Sequence, residues 1–424
     1  MSTLTPVLSS PGWELLETLQ ARQATHPISL TDLGGALRAS GVEADLAAAV
    51  LTQLALRQAA RKKFGPVAAH MVFTRDGLEQ ATRLVVAARH AQRFCDAGAS
   101  RVADLGCGIG ADALAIAGLG MDVLAVDVDP DAAQAAAANL RDFEGAQVRL
   151  GDVMDLDIAE LAAEGVDAIF ADPARRTGAS RGSARIADPE RWSPPLSAAL
   201  RWAQTISAVG IKVAPGIAYD RIPPTWHAQW VSVEGNLVEA SLWSPALAPE
   251  GPGRSCLLLD RAGAAHRLCS PDGEEANAPA TLVEVAPLGG MIAEPDPAVI
   301  RSGMLGQLAR RVGAGIVSES IAYLTGDDLP SSPFYDRFEV LADTNLRAKA
   351  ISSQLRARGA GSCEIKKRGA DIDPEALRKS LKLSGGGRHL TVIATRVGGR
   401  HRAIICKRLA SHLSGISLPP RPLP

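Results

Sequence analysis

The clearest hydrophobic pattern in this 424-residue chain lies between Arg101 and Asp127. A short apolar run, Val102 to Leu105, leads into a glycine-rich turn, an alanine- and leucine-rich segment of helical pattern, and a second apolar run that ends at Asp127. Short apolar runs bounded by turn residues are typical of buried parallel strands. The pattern therefore predicts one β-α-β unit of a nucleotide-binding sheet.

Strand and helix patterns continue to alternate after this unit. Asp129-Pro130 begins a predicted helix, QVRLGD gives a third strand ending at Asp152, and VDAIF gives a fourth strand that leads to Asp172-Pro173. GIKVAP predicts a fifth strand, WVSVEGNLVEASLWS a hairpin turning at Gly235-Asn236, and RSCLLLD the last strand. Such alternation predicts a doubly wound α/β sheet, which binds ligands at the carboxyl ends of its strands.

Helical patterns precede the first strand. Residues 12–62 are rich in Ala and Leu at helical spacing, and we expect them to form a cap on the next domain rather than an independent binding module. Thr74 is placed to cap a further helix, whose apolar residues from Leu78 to Ala88 share one face. Thr74 and Gln80 then either help to close a ligand pocket or belong to a solvated face.

Changes in composition divide the chain. A Pro-, Glu- and Gly-rich connector begins near Leu268, and the stretch from Asn345 to Leu409 carries sixteen Lys and Arg against four Asp and Glu. The predicted organisation is a helical cap (1–64), an α/β domain (65–265), a connector with a helix and a strand (266–340), a basic α+β domain (341–412) and a Pro-rich tail (413–424).

Overall charge and cysteine content narrow the function less than the motifs do. Lys and Arg number 45 and Asp and Glu 46, so net charge does not indicate a partner. The six cysteines are scattered without a C-x-x-C pair, which favours reduced thiols and disfavours a zinc site. No apolar run approaches the ~20 residues of a membrane-spanning helix, and the first residues lack a signal-peptide pattern. We expect a cytoplasmic protein without metal or membrane association.

The spacing of the glycines distinguishes between nucleotide ligands. Asp104, Gly106, Gly108 and Gly110 form D-x-G-x-G-x-G, whereas a dinucleotide fingerprint reads G-x-G-x-x-G. This pattern resembles motif I of the class I S-adenosyl-L-methionine (AdoMet) methyltransferases. The resemblance implies that these four residues and the ribose-binding Asp127 contact AdoMet as cofactor. An NAD site and an unrelated glycine-rich turn are the alternatives.

The same resemblance extends to the third strand. In that family an acid at the end of this strand, or the residue after it, contacts the adenine amino group. Asp152 and Val153 stand at these positions and are implied adenine contacts. Met154 could equally line the adenine face.

The fourth strand carries the candidate acceptor site. Asp172-Pro173-Ala174-Arg175 resembles motif IV of the family, which implies that Asp172 and Pro173 hold the acceptor nitrogen. Ala174 and Arg175 depart from the D/N-P-P-Y/F form, which disfavours methylation of adenine N6. DPARRTG also resembles the DPPRxG of 5-methyluridine RNA methyltransferases, but the fifth strand lacks the cysteine that attack on carbon 6 requires. Transfer to nitrogen or oxygen remains, and Arg175 and Arg176 could hold a phosphate or carboxylate of the substrate.

The basic C-terminal stretch has the predicted element order α-β-α-β-β. This order, with its positive charge, resembles the THUMP-like domain attached to some bacterial class I methyltransferases. The resemblance implies RNA binding, for which Lys366, Lys367 and Arg368 are candidate phosphate contacts. The alternative is a solvated basic face.

Together these resemblances imply a THUMP-like domain-containing class I methyltransferase. Its expected fold is a Rossmann-like seven-stranded α/β sheet with an N-terminal helical cap and a C-terminal α+β domain. The expected reaction is AdoMet-dependent methylation of an RNA nitrogen by direct transfer. A small-molecule or protein methyltransferase, and a non-catalytic RNA-binding protein that retains AdoMet, are the alternatives.

Overall fold

The computed structural model describes residues 4–26, 28–174, 186–260, 263–383 and 385–410. The chain forms two compact units. The first unit contains Met1–Ile217, Thr225–His227 and Ala240–Pro252, and the second contains Ala218–Pro224, Ala228–Glu239 and Gly253–Pro424. Because the chain passes between the units more than once, each unit is built from three separate segments.

The elements are numbered in chain order. The helices are α1 (Thr5–Leu8), α2 (Ser10–Thr25), α3 (Leu30–Ala39), α4 (Ala44–Phe64), α5 (Arg75–Gln80), α6 (Leu84–Asp96), α7 (Ala111–Gly118), α8 (Pro130–Leu140), α9 (Ile158–Ala163), α10 (Leu196–Trp202), α11 (Pro297–Arg301), α12 (Leu305–Val312), α13 (Ala348–Ala357) and α14 (Pro374–Leu381). The first eight strands are β1 (Arg101–Leu105), β2 (Asp122–Asp127), β3 (Ala146–Leu150), β4 (Ala168–Ala171), β5 (Ala208–Val213), β6 (His227–Val233), β7 (Asn236–Trp243) and β8 (Gly253–Leu259). The others are β9 (Ala265–Cys269), β10 (Met291–Pro295), β11 (Gly315–Ser318), β12 (Ile321–Gly326), β13 (Tyr335–Asn345), β14 (Ala360–Lys367), β15 (Arg388–Val397) and β16 (Arg400–Arg408).

The first unit contains the predicted α/β sheet, in the order β3-β2-β1-β4-β5-β7. β1 pairs in parallel with β2 and β4, β3 and β5 extend the parallel set, and the second half of β7 runs antiparallel to β5. The carboxyl ends of the parallel strands therefore meet at one edge. Buried Val102, Val123 and Phe170 belong to the core that packs against this sheet.

The N-terminal helices belong to the same unit. Ser9 and Ser29 accept hydrogen bonds from backbone N–H groups in the first turns of α2 and α3, as side chains at helix starts commonly do. Leu16, Val50 and Leu54 are fully buried in a core that also includes Ile109 of the glycine-rich turn. The helical cap is thus packed directly against the turn that follows β1.

The single helix expected after Thr74 is two helices, which corrects that prediction. Thr74 caps α5 as expected, but α5 ends at Gln80 and α6 begins at Leu84. The Lys63 ammonium donates hydrogen bonds of 2.7, 2.8 and 2.9 Å to the carbonyl oxygens of Leu78, Glu79 and Ala81. Lys63 thereby satisfies carbonyl groups that a continuing helix would have used. The break places Thr82 in the interior.

In the second unit, the strands follow the orders β7-β6-β8-β9 and β11-β12-β10-β13-β16-β15-β14. β9, antiparallel to β8, was not predicted. The α-β-α-β-β order expected for the basic stretch is confirmed as α13, β14, α14, β15 and β16. β14 and β15 are parallel, whereas β13, β16 and β15 pair antiparallel. Val392 packs with the core that includes Leu355 of α13, and the adjacent Ile393 packs with the core that includes Phe338, so both faces of β15 are covered.

Candidate functional site

The glycine-rich turn after β1 folds back over the end of β2. The N–H groups of Gly106 and Cys107 both donate to the Val126 carbonyl, at 2.9 and 3.0 Å. Gly106, Gly108 and Gly110 all have positive φ, a backbone conformation that residues other than glycine rarely adopt. A Cβ built on Gly108 would meet no atom within 4 Å. The turn therefore presents an open backbone cradle.

Asp127 closes one side of this cradle. Its Oδ2 accepts a 2.7 Å hydrogen bond from the Gly108 N–H, and its Oδ1 accepts one of 2.9 Å from the Asp129 N–H. Burial raises the pKa of Asp127, against the effect of these two hydrogen bonds. Each oxygen keeps a further lone pair, so the carboxylate can also accept the two hydroxyl groups of a ribose.

Asp104 lies beneath the turn. It is 1% exposed, and its Oδ2 accepts a 3.0 Å hydrogen bond from the Ala113 N–H in the first turn of α7. Burial, together with the charges of Asp112 and Asp172, raises the pKa of Asp104. We propose that Asp104 supports the cofactor turn from within, in place of the direct contact that the motif implied.

Gly110 fixes the exit from the turn. It caps α7 in the left-handed conformation, and a Cβ there would lie 3.2 Å from the Ala136 Cβ of α8. From α8, the Asn139 amide donates to the carbonyl oxygens of Ile109 and Val72 and accepts from the Val72 N–H. Asn139 therefore joins the turn to the segment that precedes α5.

That segment, residues 71–73, is also held by the helical cap. The Gln53 amide of α4 exchanges two hydrogen bonds with the Phe73 backbone, at 2.7 and 3.0 Å. Arg57 donates to the Met71 carbonyl at 2.8 Å, and its guanidinium also pairs with Glu17. Sequence reasoning did not identify these contacts, because they join helices to an irregular segment. They couple the first 60 residues to the cofactor turn.

Exposed apolar side chains lie at the ends of β2 and β3. Val128, Leu150 and Met154 are 65%, 60% and 48% exposed. Such exposure is unusual for large apolar residues, and here it occurs at the edge of the sheet where the carboxyl ends of the strands meet. Asp152 is exposed, and its Oδ1 accepts from the Met154 N–H, whereas Val153 is buried. This surface suits a flat heteroaromatic ring, with Met154 rather than Val153 offering apolar contact.

The candidate acceptor site begins where β4 ends. The Asp172 N–H donates to the Leu105 carbonyl at 3.0 Å, and the Asp172 side chain is 27% exposed. Pro173 is buried, and Ala174 exchanges two backbone hydrogen bonds with Ser193. Asp172 and Pro173 therefore stand next to the glycine-rich turn. Arg175 and Arg176 lie outside the described residues.

Lys212 is a site residue that sequence reasoning left without a role. It lies on β5, is 5% exposed, and donates hydrogen bonds to Asp172 Oδ2 at 2.7 Å and to Thr82 Oγ1 at 2.9 Å. A lysine inside an apolar strand needs a partner, because burial of an unpaired charge is costly. The sequence GIKVAP contained this signal, but it did not identify Asp172 as the partner.

In the second unit, each of the three predicted RNA contacts is already bound to another group of the protein. Lys366 pairs with Glu294 at 2.7 Å and with Glu364 at 3.5 Å, and Arg368 pairs with Glu294 at 3.8 Å. Lys367 donates to the Ile372 carbonyl at 2.8 Å. The structure therefore does not present these side chains as one unpaired basic cluster.

Metal-binding groups, membrane-spanning helices and cavities are the remaining features of the described residues. In those ranges no three His, Cys, Asp or Glu side chains are grouped as a metal site, and no helix has the length and apolarity to cross a bilayer. A cavity of about 420 Å³ is lined by Leu8, Trp13 and Arg141 among others, on the side of α8. None of the residues that line this cavity belongs to the glycine-rich turn or to the end of β4.

Three family models match the chain. They are the methyltransferase small domain over residues 66–186, the THUMP domain-like model over residues 336–408, and a domain of unknown function over residues 1–60. Gln53 and Arg57, the two residues of α4 that hold residues 71–73, fall within the last of these.

Two curated relatives and one solved structure cover most of the chain. S-adenosylmethionine-dependent methyltransferases of Mycobacterium tuberculosis strains CDC 1551 and H37Rv, both described as uncharacterised, are 32% identical over 354 residues, which is 81% of this chain and 91% of theirs. A crystal structure from Porphyromonas gingivalis W83, assigned as a methyltransferase, superposes with a TM-score of 0.72 at 18% identity and covers 94% of this chain and 99% of its own. The structural match confirms the fold.

Proposed function

Because the chain belongs to the S-adenosylmethionine-dependent methyltransferases, we propose that it methylates a nitrogen of an RNA nucleotide by direct transfer. The observation that carries this proposal is the Asp172 carboxylate. Asp172 stands at the carboxyl end of β4. Its backbone N–H donates a hydrogen bond to the end of β1, and its carboxylate accepts one from Lys212. Direct transfer requires alignment of the acceptor, and a fixed carboxylate supplies it.

The cofactor is S-adenosyl-L-methionine, and the first unit has a site that fits it. Gly108 offers an open cradle, Asp127 can accept ribose hydroxyl groups, and the exposed Met154 with Asp152 can contact the adenine. When bound, this cofactor supplies a methyl group activated by its sulfonium. Gly106 and Gly110 serve by shaping the turn, and Asp104 by anchoring α7.

The protonation state of Cys107 and Cys256 supports nitrogen over carbon as the acceptor. A carbon-5 mechanism needs a thiolate nucleophile. Burial raises the pKa of Cys107, in the cofactor turn, and raises the pKa of Cys256 to about 12. Both thiols are therefore protonated near neutral pH. A carboxylate with a backbone carbonyl at Asp172-Pro173 instead suits an acceptor that carries N–H groups.

The THUMP domain-like match supports RNA as the substrate class. Within the described residues, Lys382 and Arg388 are exposed, flank the Gly385–Gly387 turn and have no acidic partner. We therefore place phosphate binding at Lys382 and Arg388 before Lys366, Lys367 and Arg368. Arg175 and Arg176 remain candidates, from the sequence, for contact with a substrate phosphate.

The test is transfer of radiolabelled methyl from AdoMet to total RNA from a strain that lacks this protein, beside wild-type RNA and a protein extract. We expect label to enter RNA from the deletion strain and little of it to enter wild-type RNA, whose sites are already methylated. Label in the protein extract or in small molecules, with none in RNA, would contradict the RNA assignment and favour those substrates.

A variant separates catalysis from a binding role. Asp172→Asn should reduce transfer at least ~100-fold. The uncharged amide cannot offer a negatively charged oxygen to the N–H group of the substrate. Its AdoMet affinity should stay within about threefold of the wild type. Asp142→Asn, which changes an exposed acid on the same unit, is the matched control. Equal, background-level labelling by the wild type and Asp172→Asn would favour a non-catalytic RNA-binding protein.

A further inference from the structure

Buried polar side chains form a continuous chain that ends at Asp172. His90 Nδ1 lies 2.8 Å from Asp112 Oδ1, and the Thr82 hydroxyl lies 2.6 Å from Asp112 Oδ2. Lys212 Nζ then bonds to Thr82 and Asp172, at 2.9 and 2.7 Å. Each of the four residues before Asp172 is less than a tenth exposed. These contacts connect α6 and α7 to the ends of β4 and β5.

The chemistry of these groups fixes the direction of each hydrogen bond. The Lys212 ammonium has no acceptor, so Thr82 Oγ1 must accept from it. The single hydroxyl proton of Thr82 is then directed to Asp112, which accepts on both oxygens. Hydrogen bonding and charge from His90, with the charge of Lys212, lower the pKa of Asp112, although burial alone would raise it. The chain is therefore consistent with an ionised Asp112 and a charged Lys212.

Carboxylates surround the acceptor site. Asp104 from β1 and Asp127 from β2 are both close enough to Asp172 for its charge to act on them. A further carboxylate, Asp112 of α7, acts on Asp104. Lys212 is the cation that contacts Asp172 among the described residues. In such surroundings a carboxylate without a counter-charge is unfavourable. Asp172 therefore depends on Lys212 for its counter-charge and to hold one orientation.

We propose that Lys212 is the positioning residue of the transfer reaction: it binds Asp172 Oδ2 and leaves Oδ1 directed to the acceptor N–H. Thr82 and Asp112 hold Lys212 in that position. This inference rests on the proposed role of Asp172 in acceptor binding. No other hydrogen bond to the Asp172 carboxylate is present in the described part of the chain.

A purely structural lysine would behave differently from a positioning one. Loss of a structural lysine lowers stability and AdoMet affinity together, because β4, β5 and the cofactor turn share one edge. Loss of a positioning lysine lowers kcat and changes its pH dependence, while AdoMet still binds. The two roles are therefore separable by kinetics and by NMR of the Asp172 carboxylate.

The kinetic test compares Lys212→Met, Lys212→Arg and Thr82→Val, with Thr52→Val on α4 as the control. We expect Lys212→Met to lower kcat for RNA about 100-fold, with AdoMet Kd within about threefold, and to move the acid limb of the kcat profile to higher pH. Lys212→Arg should recover part of kcat, and Thr82→Val should lower kcat about tenfold. An unchanged kcat in Lys212→Met, or equal losses of AdoMet binding and of thermal stability, would overturn the proposal.

A second measurement does not depend on the substrate. The environment of the Asp172 carboxylate is followed by NMR at one fixed pH in full-length protein labelled with ¹³C at the Asp carboxyl carbons, with Asp172→Asn used to assign the signal. In Lys212→Met the chemical shift of this signal should differ from that in the wild type and in Thr52→Val, because the carboxylate has lost its hydrogen bond from Lys212. An unmoved signal would overturn the positioning role. A wild-type protein that fails to methylate RNA, together with a moved signal, would instead overturn the RNA assignment and leave the Lys212 pairing standing.

Discussion

A Cβ on Gly106 would lie 2.7 Å from the backbone carbonyl oxygen of Asp172. The glycine belongs to the glycine-rich turn and the aspartate to the acceptor site that we propose. The hydrogen bond from the Asp172 N–H to the Leu105 carbonyl also joins these two segments. The turn and the end of β4 are therefore fixed relative to each other by main-chain contacts, which leave no room for a side chain between them.

Gly106→Ala should disrupt this contact. The added methyl would meet a backbone oxygen, and the φ of +85° costs an alanine about 1–2 kcal/mol in addition. We expect AdoMet affinity, measured by calorimetry, to fall more than ~10-fold, with loss of transfer. Gly118→Ala is the control, since a Cβ at the end of α7 would meet no atom within 4 Å. Wild-type affinity in Gly106→Ala would mean that the turn and β4 can separate at little cost.

Asp127→Asn should weaken AdoMet binding while the protein stays folded. The amide replaces two acceptor oxygens by one, and a lost charged hydrogen bond costs roughly 1.5–3 kcal/mol, or about 10- to 150-fold in Kd. Because burial raises the pKa of Asp127, wild-type affinity should also fall as pH decreases through a value above the ordinary aspartate range. The asparagine variant should lack this dependence. A variant with the same pH dependence as the wild type would exclude Asp127 as its source.

Glu250 should stabilise the first unit in a pH-dependent way. Burial alone would raise the pKa of Glu250, but the two hydrogen bonds and the charge of Arg93 lower it from 4.5 to about 2. Its contribution is therefore present above pH ~4.5 and is lost as pH falls towards 2. Glu250→Gln should lose about 3 kcal/mol at pH 7 in urea unfolding, and much less near pH 2.

Glu164→Gln provides the comparison for that experiment. Glu164 pairs with Arg149 at 2.8 Å, but both side chains are 43% exposed. An exposed pair contributes at most about 1 kcal/mol, because water screens it. Equal losses in the free energy of unfolding for Glu250→Gln and Glu164→Gln would show that the buried pair contributes no more stability than the exposed pair.

The basic domain should bind RNA through its unpaired cations. Lys382→Ala with Arg388→Ala should lower RNA affinity roughly tenfold and reduce the salt dependence of log K by about two, one for each lost phosphate contact. Lys366→Ala should change RNA affinity much less, because its ammonium is already bound to Glu294. Gel-shift titrations at several salt concentrations measure both quantities. The reverse order of effects would return the phosphate site to Lys366.

The sequence by itself determined the elements whose signals are local. Strand β1, the glycine-rich turn, helix α7 and strand β2 follow from hydrophobic spacing and from glycine at positions of positive φ. The Thr74 cap and the α-β-α-β-β order of the basic domain follow from signals of the same range. In each case, neighbours within a few residues decide the conformation, so the sequence alone predicts the element.

Only the tertiary structure decided which polar groups meet. Lys212 contacts Asp172 across 40 residues and Thr82 across 130, and Lys63 ends α5 from a different helix. The pairing of Lys366 with Glu294 likewise joins β14 to β10. Hydrophobic spacing gives the face on which a residue lies but not its partner on another element. The acceptor site that we propose depends on such pairings, because a buried charge is stable only where the fold brings its counter-charge within hydrogen-bonding distance.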